Sequence, residues 1–291
     1  MKILVIGATG MLGEPAARQL QAEDHTVHIL SRNVEKARAK FGGAFTIVQG
    51  DVEQPDTLRR ALAGCEGVHI NLAGGPTPEA YDRIEHRGTA NVAQAAAELG
   101  LQRLTYLSGF SVDATADFYS ERAKWLAETA VQASGVPYTI FRAAWFMESL
   151  PLFIQNKRAV VIGKQTAPLH WLAAQDYARM VAQAYRTPEA ANKTFYVYGP
   201  EAYTMPQAVK QYQASVRSDT SYFQMPPWLL SLIASLTRDA EMKDLAQFMK
   251  YTEKLQEGGS AEEANALLGA PTTTLAEWCQ AQVNKPVLMM A

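Results

Sequence analysis

A short apolar strand followed at once by a glycine-rich turn opens this chain and constrains its fold more than any other feature. Ile3 to Ile6 form an apolar run, and Gly7, Gly10 and Gly13 follow at regular spacing. The residues after Gly13 have the apolar spacing of a helix. A strand, a tight turn and a helix in this order predict the start of a βαβ unit.

Each glycine of this turn has a physical reason to lack a side chain. The first permits the tight turn, the second lets backbone N–H groups approach a pyrophosphate, and the third lets helix and strand pack closely. The helix N-terminus adds positive potential for an anion. The pattern predicts a dinucleotide site, with a tight turn that binds nothing as the alternative. The predicted contacts in the turn are Gly7, Thr9, Gly10, Met11, Leu12 and Gly13.

The rest of the first half continues the same alternation of short β-branched runs and longer Ala-rich segments. The predicted strands are Ile3–Ile6, Thr26–Leu30, Phe45–Val48, Gly67–Leu72, Arg103–Leu107 and Pro137–Phe141. The predicted helices are Leu12–Ala22, Val34–Lys40, Pro55–Ala63, Tyr81–Leu99 and Ser120–Ser134. This order predicts an α/β fold with a doubly wound parallel sheet.

The second half has a different rhythm because prolines divide it into shorter pieces. A helix at Gln175–Arg186 and a strand at Thr194–Tyr198 can still belong to the main sheet. Pro226 to Leu255 is predicted helical, and Gly258 to Ser260 form a flexible joint before a last helical segment. We therefore predict a dinucleotide-binding domain over residues 1–150. Residues 151–291 would hold the remaining sheet elements and a smaller, mostly helical lobe for substrate or partner.

Charge and cysteine content exclude several classes of protein. With 27 basic and 29 acidic residues the formal net charge is -2, which gives no general attraction to nucleic acid. Cys65 and Cys279 lie far apart without other ligands nearby, so neither a disulfide framework nor a metal site is predicted. This cysteine usage makes a reducing cytoplasm the expected location. The apolar run before Gly7 is too short for the apolar core of a signal peptide and is predicted to be a buried strand.

The longest apolar run lies in the second half of the chain. Trp228 to Leu236 contains two serines and falls well short of the ~20 residues of a membrane span. A buried helix is the main prediction for this run. The alternative is a surface that meets a membrane or a protein partner.

The end of the second predicted strand indicates which dinucleotide would bind. Ser31 and Arg32 stand where an NAD site offers a carboxylate to the ribose hydroxyls. A guanidinium there can pair with a 2′-phosphate, so NADPH is predicted in preference to NADH. The alternative is a solvated surface arginine.

Two further strand ends supply candidate contacts. Asp51, followed by Val52, can accept a hydrogen bond from the adenine amino group, or it can serve only as a turn or capping residue. The small residues after the fourth strand would let the backbone approach a cofactor, or would simply form a flexible loop. The candidates there are Asn71, Leu72, Ala73 and Gly74.

These residues, in this order, resemble the short-chain dehydrogenase/reductase superfamily, and in particular its atypical NmrA-like branch. The landmarks are the glycine turn, Ser31–Asn33, Gly50–Val52, Tyr106–Gly109, Lys124 with Glu128, Ser134–Arg142 and Trp145–Glu148. The resemblance implies a Rossmann domain that binds NADP(H). The branch contains quinone and enone reductases, redox-sensing regulators and assembly proteins, so it implies the cofactor more firmly than the activity.

The usual chemistry of the superfamily implies candidate catalytic residues. It uses a serine from the fifth strand and a tyrosine four residues before a lysine, which lowers the tyrosine pKa. Ser108 and Lys124 match the serine and the lysine, but Ser120 stands at the tyrosine position. Tyr119 lies five residues before Lys124 and faces the site only if the helix begins after it. The resemblance also implies that Lys124 binds the nicotinamide ribose; the spacing equally permits an ion pair with Glu128.

Apolar residues after the sixth predicted strand complete the candidate site. Ala144, Trp145 and Phe146 can contact the nicotinamide or a planar substrate, whereas Met147 is expected to pack in the helical lobe. Two functions remain open at this stage. One is an NADPH-dependent reductase of a quinone, enone or small carbonyl, and the other is a non-catalytic sensor or assembly protein that acts through protein contacts.

Overall fold

The computed structural model describes residues 1–75 and 77–283 of the chain. Its strands are β1 (Lys2–Ile6), β2 (Thr26–Ser31), β3 (Thr46–Gln49), β4 (Gly67–Ile70), β5 (Arg103–Gly109), β6 (Tyr138–Ala143), β7 (Ile154–Gln155), β8 (Arg158–Ile162), β9 (Leu169–His170), β10 (Lys193–Val197), β11 (Ala202–Tyr203) and β12 (Ser221–Met225). Its helices are α1 (Gly13–Ala22), α2 (Val34–Phe41), α3 (Pro55–Leu62), α4 (Pro78–Tyr81), α5 (Gly88–Glu98), α6 (Tyr119–Ala133), α7 (Ala174–Arg186), α8 (Met205–Val216), α9 (Pro227–Thr237), α10 (Ala240–Thr252), α11 (Glu262–Leu268) and α12 (Leu275–Val283).

The main sheet has seven parallel strands in the order β10-β6-β5-β4-β1-β2-β3. Ile6 pairs with Leu30 of β2 on one side and with Ile70 of β4 on the other. The chain therefore reverses its winding direction between β1 and β4, which is where doubly wound folds bind ligands. The predicted fold is confirmed, and the strand predicted at Thr194–Tyr198 joins the sheet as β10, beside β6.

The chain forms two compact units that interleave along the sequence. The first unit holds Met1–Ala143, Ala174–Val197 and Gly258–Ala270. The second unit holds Ala144–Ala173, Tyr198–Glu257 and the described residues from Pro271 onward. The first unit thus also includes α7, β10 and α11 from the later half of the chain. The domain boundary at residue 150 stays a prediction.

The core of the first unit lies between the sheet and its helices. Leu4, Val68 and Ile140 are fully buried in one cluster with apolar residues of α3, α5 and α6. Strands covered on both faces by helices read as continuous apolar runs, which is why they could be located in the sequence. This packing fixes the strand ends from which the candidate site residues extend.

The second unit has its own core. β12, β8 and β7 form a three-stranded sheet, and β9 pairs with β11. Trp171, Met205 and Trp278 belong to its buried cluster together with Met147, which packs as expected. No helix in the described part of the chain is both long and apolar enough to cross a bilayer.

Two predicted helices differ from the structure in an informative way. The helix predicted over Tyr81–Leu99 consists of α4, a six-residue π-helical turn at Asp82–Arg87, and α5. The segment predicted over Pro226–Leu255 divides into α9 and α10 at Arg238, whose φ of +56° ends the first helix. Asp239 then caps α10 by accepting a hydrogen bond from the Met242 N–H.

The apolar run at α9 is not a buried helix, so that expectation is wrong. Leu230 and Ala234 are buried, but Trp228, Leu232 and Leu236 are 67%, 49% and 77% exposed. The three exposed residues are spaced by one helical turn each and share one face. We call Trp228, Leu232 and Leu236 the α9 apolar face.

Candidate dinucleotide-binding site

The glycine turn between β1 and α1 is shaped mainly by the chain itself. Gly7 has a φ of +78°, and a Cβ added there would lie 1.8 Å from the Asn71 carbonyl oxygen. A Cβ at Gly13 would lie 2.2 Å from the Gly7 carbonyl oxygen. Both positions therefore require glycine because strand, turn and helix approach so closely.

Gly10 is different because its side-chain position is open. A Cβ there would have the Gly7 carbonyl oxygen, at 3.2 Å, as its single neighbour within 4 Å among the described residues. Gly10 is exposed, and its N–H donates to the Gly7 carbonyl at 3.0 Å. Thr9, Met11 and Leu12 complete this turn, and Met11 is 41% exposed. The protein thus leaves space where a pyrophosphate would lie.

Lys40 of α2 holds the glycine turn in place, although its sequence position gave no indication of this contact. Its ammonium donates to the Thr9 carbonyl at 3.0 Å and pairs with Glu14 at 2.7 Å. Burial would raise the pKa of Glu14, but the hydrogen bonds from Lys40 and Arg18 outweigh it and hold that pKa below its ordinary value. A lysine late in α2 gives no local signal for a contact so far back in the chain.

A cavity of about 540 Å³ lies at the ends of β2 and β3. It is lined by Arg32, Gln49, Gly50, Asp51, Gln54, Thr57 and Arg60. The predicted Arg32 and Asp51 therefore share one cavity, and Arg60 of α3 joins them without having been predicted. Neither arginine has a carboxylate partner in the part of the chain that the structure describes. Arg59, the neighbour of Arg60, instead pairs with Asp56 and Glu98.

Several predicted contact residues already make hydrogen bonds to other parts of the protein. The Ser31 hydroxyl donates to the Asn33 carbonyl at 2.8 Å. The Asp51 carboxylate accepts from the Glu53 N–H at 3.0 Å, as in the turn role considered for it. The Val52 carbonyl accepts from the Asn91 side chain at 2.9 Å. These bonds hold Asp51, which lines the cavity, and the backbone next to Arg32 and Asp51.

The segment after β4 lies beside the glycine turn. The Asn71 N–H donates to the Ile6 carbonyl at 3.1 Å, and its own carbonyl lies against Gly7. Leu72 is half-buried, Ala73 is exposed and Gly74 is buried. The structure thus brings the ends of β1 and β4 together, as a site at the reversal of winding requires.

Ser108, the predicted catalytic serine, lies near the end of β5 and is buried. Its hydroxyl donates to the Glu128 carboxylate of α6 at 2.6 Å. Glu128 also accepts from the Arg142 guanidinium at 2.6 Å, and this hydrogen bond raises the pKa of Arg142 above its ordinary value. The partner of Glu128 is therefore Arg142, and the considered ion pair of Lys124 with Glu128 is wrong.

Lys124 pairs instead with Glu85 of the π-helical turn. The Lys124 ammonium lies 2.9 Å from Glu85 Oε1, and the Tyr106 hydroxyl donates to the same oxygen at 2.6 Å. Burial first, and then the charge of Glu85, raises the pKa of Tyr106 well above its ordinary value. Glu85 could not be predicted from the sequence, because its contact with Lys124 joins residues 39 positions apart.

Tyr119 is the first residue of α6, so the helix does not begin after it. Its ring stacks on Phe118 with centroids 4.6 Å apart and meets the Tyr81 ring edge-on at 5.3 Å. Ser120, at the expected tyrosine position, is buried and donates to the Glu121 carboxylate. The catalytic role of Tyr119 stays a prediction.

Ala144, Trp145 and Phe146 belong to the second unit, directly after β6 in the chain. Trp145 lies 5.9 Å from the Trp171 ring, and Phe146 forms a bridge with Leu172. Their contact with a cofactor stays a prediction. Among the described residues, no cluster of metal-ligating side chains is present.

The seven-stranded parallel sheet, the glycine turn and the cavity beyond β2 and β3 define a dinucleotide-binding Rossmann protein. The chain belongs to the NAD(P)H-binding family, whose sequence model matches residues 7–188. The resemblance to atypical short-chain dehydrogenases/reductases is thereby confirmed.

Among curated proteins, the chain is similar to reductases and to assembly factors. It is 26% identical to the NAD(P)H azoreductase of Xenophilus azovorans over 96% of this chain and 97% of that protein. It is 31% identical to (4-alkanoyl-5-oxo-2,5-dihydrofuran-3-yl)methyl phosphate reductase of Streptomyces griseus over 72% of each. It is also 26% identical to a Photosystem II assembly factor of Synechocystis over 82% of this chain and 74% of that protein.

Solved structures share the fold over nearly the whole chain. An NADPH-dependent quinone oxidoreductase of Escherichia coli, complexed with NADPH, is 23% identical with a TM-score of 0.74, covering 97% of this chain and 100% of that one. Triphenylmethane reductase of Citrobacter, complexed with NADP(H), is 18% identical with a TM-score of 0.76 and the same coverage.

Proposed function

We propose that this protein is an NADPH-dependent reductase of quinones, enones or similar conjugated small molecules. The observation that carries the proposal is the open space at the Cβ position of Gly10. At Gly7 and Gly13, the other two glycines of the turn, the protein's own backbone occupies that space. That turn fits a pyrophosphate, since it offers backbone N–H groups and a helix N-terminus without an obstructing side chain. The named activities of the reductase relatives support the reaction class.

The cavity at the end of β2 supports NADPH over NADH. Arg32 and Arg60 line it without carboxylate partners in the described structure, and Asp51 is the one acidic residue of the lining. Two guanidinium groups favour a dianionic 2′-phosphate, and a single carboxylate leaves the cavity with an excess of positive charge. Arg32 and Arg60 would thus hold the adenosine end of the cofactor.

The residues near β5 and α6 determine which acceptors can be reduced. When bound, the cofactor supplies hydride from its nicotinamide ring. Lys124, which is partly exposed, would hydrogen-bond the nicotinamide ribose. The superfamily normally places a tyrosine four residues before the lysine, and its phenol passes a proton to the carbonyl oxygen. In this chain Ser120 occupies that position and donates its hydroxyl to Glu121. Acceptors that need little acid catalysis, such as quinones, are therefore favoured.

The proposal is tested by NADPH binding and NADPH oxidation with one protein preparation. Wild type is titrated with NADPH by calorimetry and then assayed with a quinone, an azo dye and a simple ketone. Gly10→Val should abolish binding because its side chain occupies the pyrophosphate space. Gly43→Val is the matched control, since a Cβ at Gly43 meets no described atom within 4 Å. Retained binding in Gly10→Val, or no turnover of any acceptor, would overturn the proposal.

A second function is favoured by the α9 apolar face. An exposed apolar stripe of this kind usually marks a contact surface. The similarity to a Photosystem II assembly factor is consistent with a protein that binds NADPH but acts through a protein partner. In that case NADPH would bind without turnover of any acceptor.

The two functions are separated by a variant of the α9 apolar face. Trp228→Gln, Leu232→Gln and Leu236→Gln together should leave quinone reduction unchanged if the protein is a reductase. If the protein instead acts through a partner, a photo-crosslinker placed at Ser235, an exposed residue of α9 between Leu232 and Leu236, should capture one protein, and the triple variant should lose that product. Quinone turnover in wild type together with no such product would exclude the second function.

A further inference from the structure

The buried carboxylate of Glu85 is unusual in its place and its surroundings. It lies in the π-helical turn Asp82–Arg87 between α4 and α5, and its side chain is 0% exposed. π-Helical turns are rare and often occur at functional sites, because the wider turn redirects side chains. A buried carboxylate is costly unless a cation and hydrogen bonds compensate it.

The compensating groups come from two other elements. Tyr106 of β5 donates to Glu85 Oε1 at 2.6 Å, and Lys124 of α6 donates to the same oxygen at 2.9 Å. The Lys124 ammonium also lies 5.7 Å from the centroid of the Tyr106 ring. Glu85 Oε2 is buried and has no hydrogen-bond partner among the described atoms. One carboxylate oxygen therefore organises both side chains.

The accessibility of Lys124 distinguishes this pair from an ordinary internal ion pair. Its side chain is 19% exposed while that of Glu85 is 0% exposed, so the ammonium lies between a buried anion and the protein surface. An ammonium has three N–H donors, and in the described structure only Glu85 accepts from this one. The remaining donors can reach a ligand.

We propose that Glu85 is a positioning residue that holds the Lys124 ammonium for the nicotinamide half of the cofactor. The inference rests on the proposed NADPH binding and adds the residue on which the Lys124 contact depends. Without the negative charge of Glu85, the flexible Lys124 side chain is no longer held in place. Cofactor binding then has to fix this side chain and loses its conformational entropy. The Tyr106–Glu85 contact remains available to a glutamine, which keeps the shape of the side chain.

A comparison of whole cofactor with half cofactor tests the inference. Wild type and Glu85→Gln are titrated by calorimetry with NADPH and with 2′,5′-ADP, which lacks the nicotinamide and its ribose. Glu85→Gln should weaken NADPH binding about tenfold, the scale of one charge-assisted hydrogen bond, and leave 2′,5′-ADP binding unchanged. A merely structural role would weaken both ligands equally or neither.

Further variants keep the test decisive. Glu85→Asp retains the charge and should recover part of the NADPH affinity lost in Glu85→Gln. The double variant Glu85→Gln with Lys124→Met should have an NADPH affinity at most about threefold lower than that of Glu85→Gln alone, because the two residues act as one unit. Glu98→Gln is the matched control, since Glu98 also holds a cation, Arg59, but at the surface.

The possible failures have different meanings. If wild type binds neither NADPH nor 2′,5′-ADP, the proposed function itself is wrong. If wild type binds both and Glu85→Gln changes neither, or weakens both equally, the positioning role is overturned. Should Glu85→Gln fail to fold, the ratio of NADPH to 2′,5′-ADP affinity in Glu85→Asp decides: an unchanged ratio overturns the inference, and a lowered ratio supports it.

Discussion

The hydroxyl of Ser108 donates a 2.6 Å hydrogen bond to the carboxylate of Glu128, and both groups are buried. Glu128 in turn accepts two hydrogen bonds from Arg142. The serine that the superfamily resemblance assigns to catalysis thus belongs to a hydrogen-bond network between β5, α6 and β6. A hydroxyl committed to a buried carboxylate can contact a substrate oxygen only if that bond is given up.

Ser108→Ala should therefore affect stability more than turnover. The alanine leaves Glu128 with its Arg142 partner, so we expect a loss of about 1–2 kcal/mol in the free energy of unfolding. Quinone-dependent NADPH oxidation should be largely retained. Urea unfolding and steady-state kinetics measure the two effects. Ser111→Ala is the control, because the hydrogen bond of Ser111 to the Glu121 carboxylate is longer, at 3.4 Å. A large fall in kcat with unchanged stability would return Ser108 to catalysis.

The preference for NADPH should depend on Arg60 as well as on Arg32. Each lines the same cavity, so Arg32→Gln and Arg60→Gln should each weaken NADPH binding about tenfold while leaving NADH binding almost unchanged. Calorimetric titration with both cofactors measures the preference. Arg59→Gln is the matched control on the same helix, since Arg59 is paired with Asp56 and Glu98. An equal effect of Arg59→Gln and Arg60→Gln on NADPH would show a general charge effect instead of a binding contact.

The fold could be predicted from the sequence because its signals are local. The Gly7–Gly13 turn, the β-branched runs and the Ala-rich helices each depend on neighbouring residues, and their alternation predicts a doubly wound parallel sheet. The interleaving of two units could not be predicted, since it depends on which later segments return to the first sheet. A buried helix was the main prediction for α9, and an exposed surface only the alternative, because the helix carries apolar residues on several sides.

The candidate site was less predictable because its polar contacts join distant residues. Helical spacing allowed Lys124 to pair with Glu128, but β6 brings Arg142 to that carboxylate and the π-helical turn brings Glu85 to Lys124. No local sequence pattern predicts a π-helical turn. Arg60 was overlooked because α3 follows the predicted Asp51 turn and reads as an ordinary surface helix. Tertiary packing decided each of these pairings.

Buried His69 should make the protein less stable in mild acid. Burial lowers its pKa from 6.5 to about 3, so the folded protein keeps the ring neutral where the unfolded chain binds a proton. The contribution of neutral His69 to the free energy of unfolding is therefore complete above pH 6.5. It is lost progressively as the pH falls toward 3, by up to about 1.4 kcal/mol per pH unit.

Urea unfolding of wild type and His69→Gln between pH 7 and pH 5 measures this contribution. His69 Nδ1 lies 2.8 Å from the Thr105 hydroxyl, a contact that a glutamine amide can replace. We expect the variant to be less stable at pH 7 and to lose less stability on acidification than wild type. Equal pH slopes for the two proteins would mean that His69 is not the group that titrates.

The last prediction concerns Tyr119, whose ring is held between those of Phe118 and Tyr81 at the start of α6. Its position five residues before Lys124 turns it away from the lysine face of the helix. General acid catalysis contributes about 10²–10⁴-fold, so without a correctly placed phenol the reduction of simple ketones should be slow or absent. Quinone reduction should proceed, and Tyr119→Phe should leave it unchanged.

Steady-state NADPH oxidation by wild type, Tyr119→Phe and Tyr81→Phe, with a ketone and a quinone as acceptors, tests this expectation. Tyr81→Phe is the control because it removes a hydroxyl from the neighbouring ring of the same aromatic group. Equal turnover by all three proteins is expected with the quinone. Brisk ketone reduction that disappears only in Tyr119→Phe would mean that this phenol reaches the substrate oxygen, and that the start of α6 rearranges when NADPH is bound.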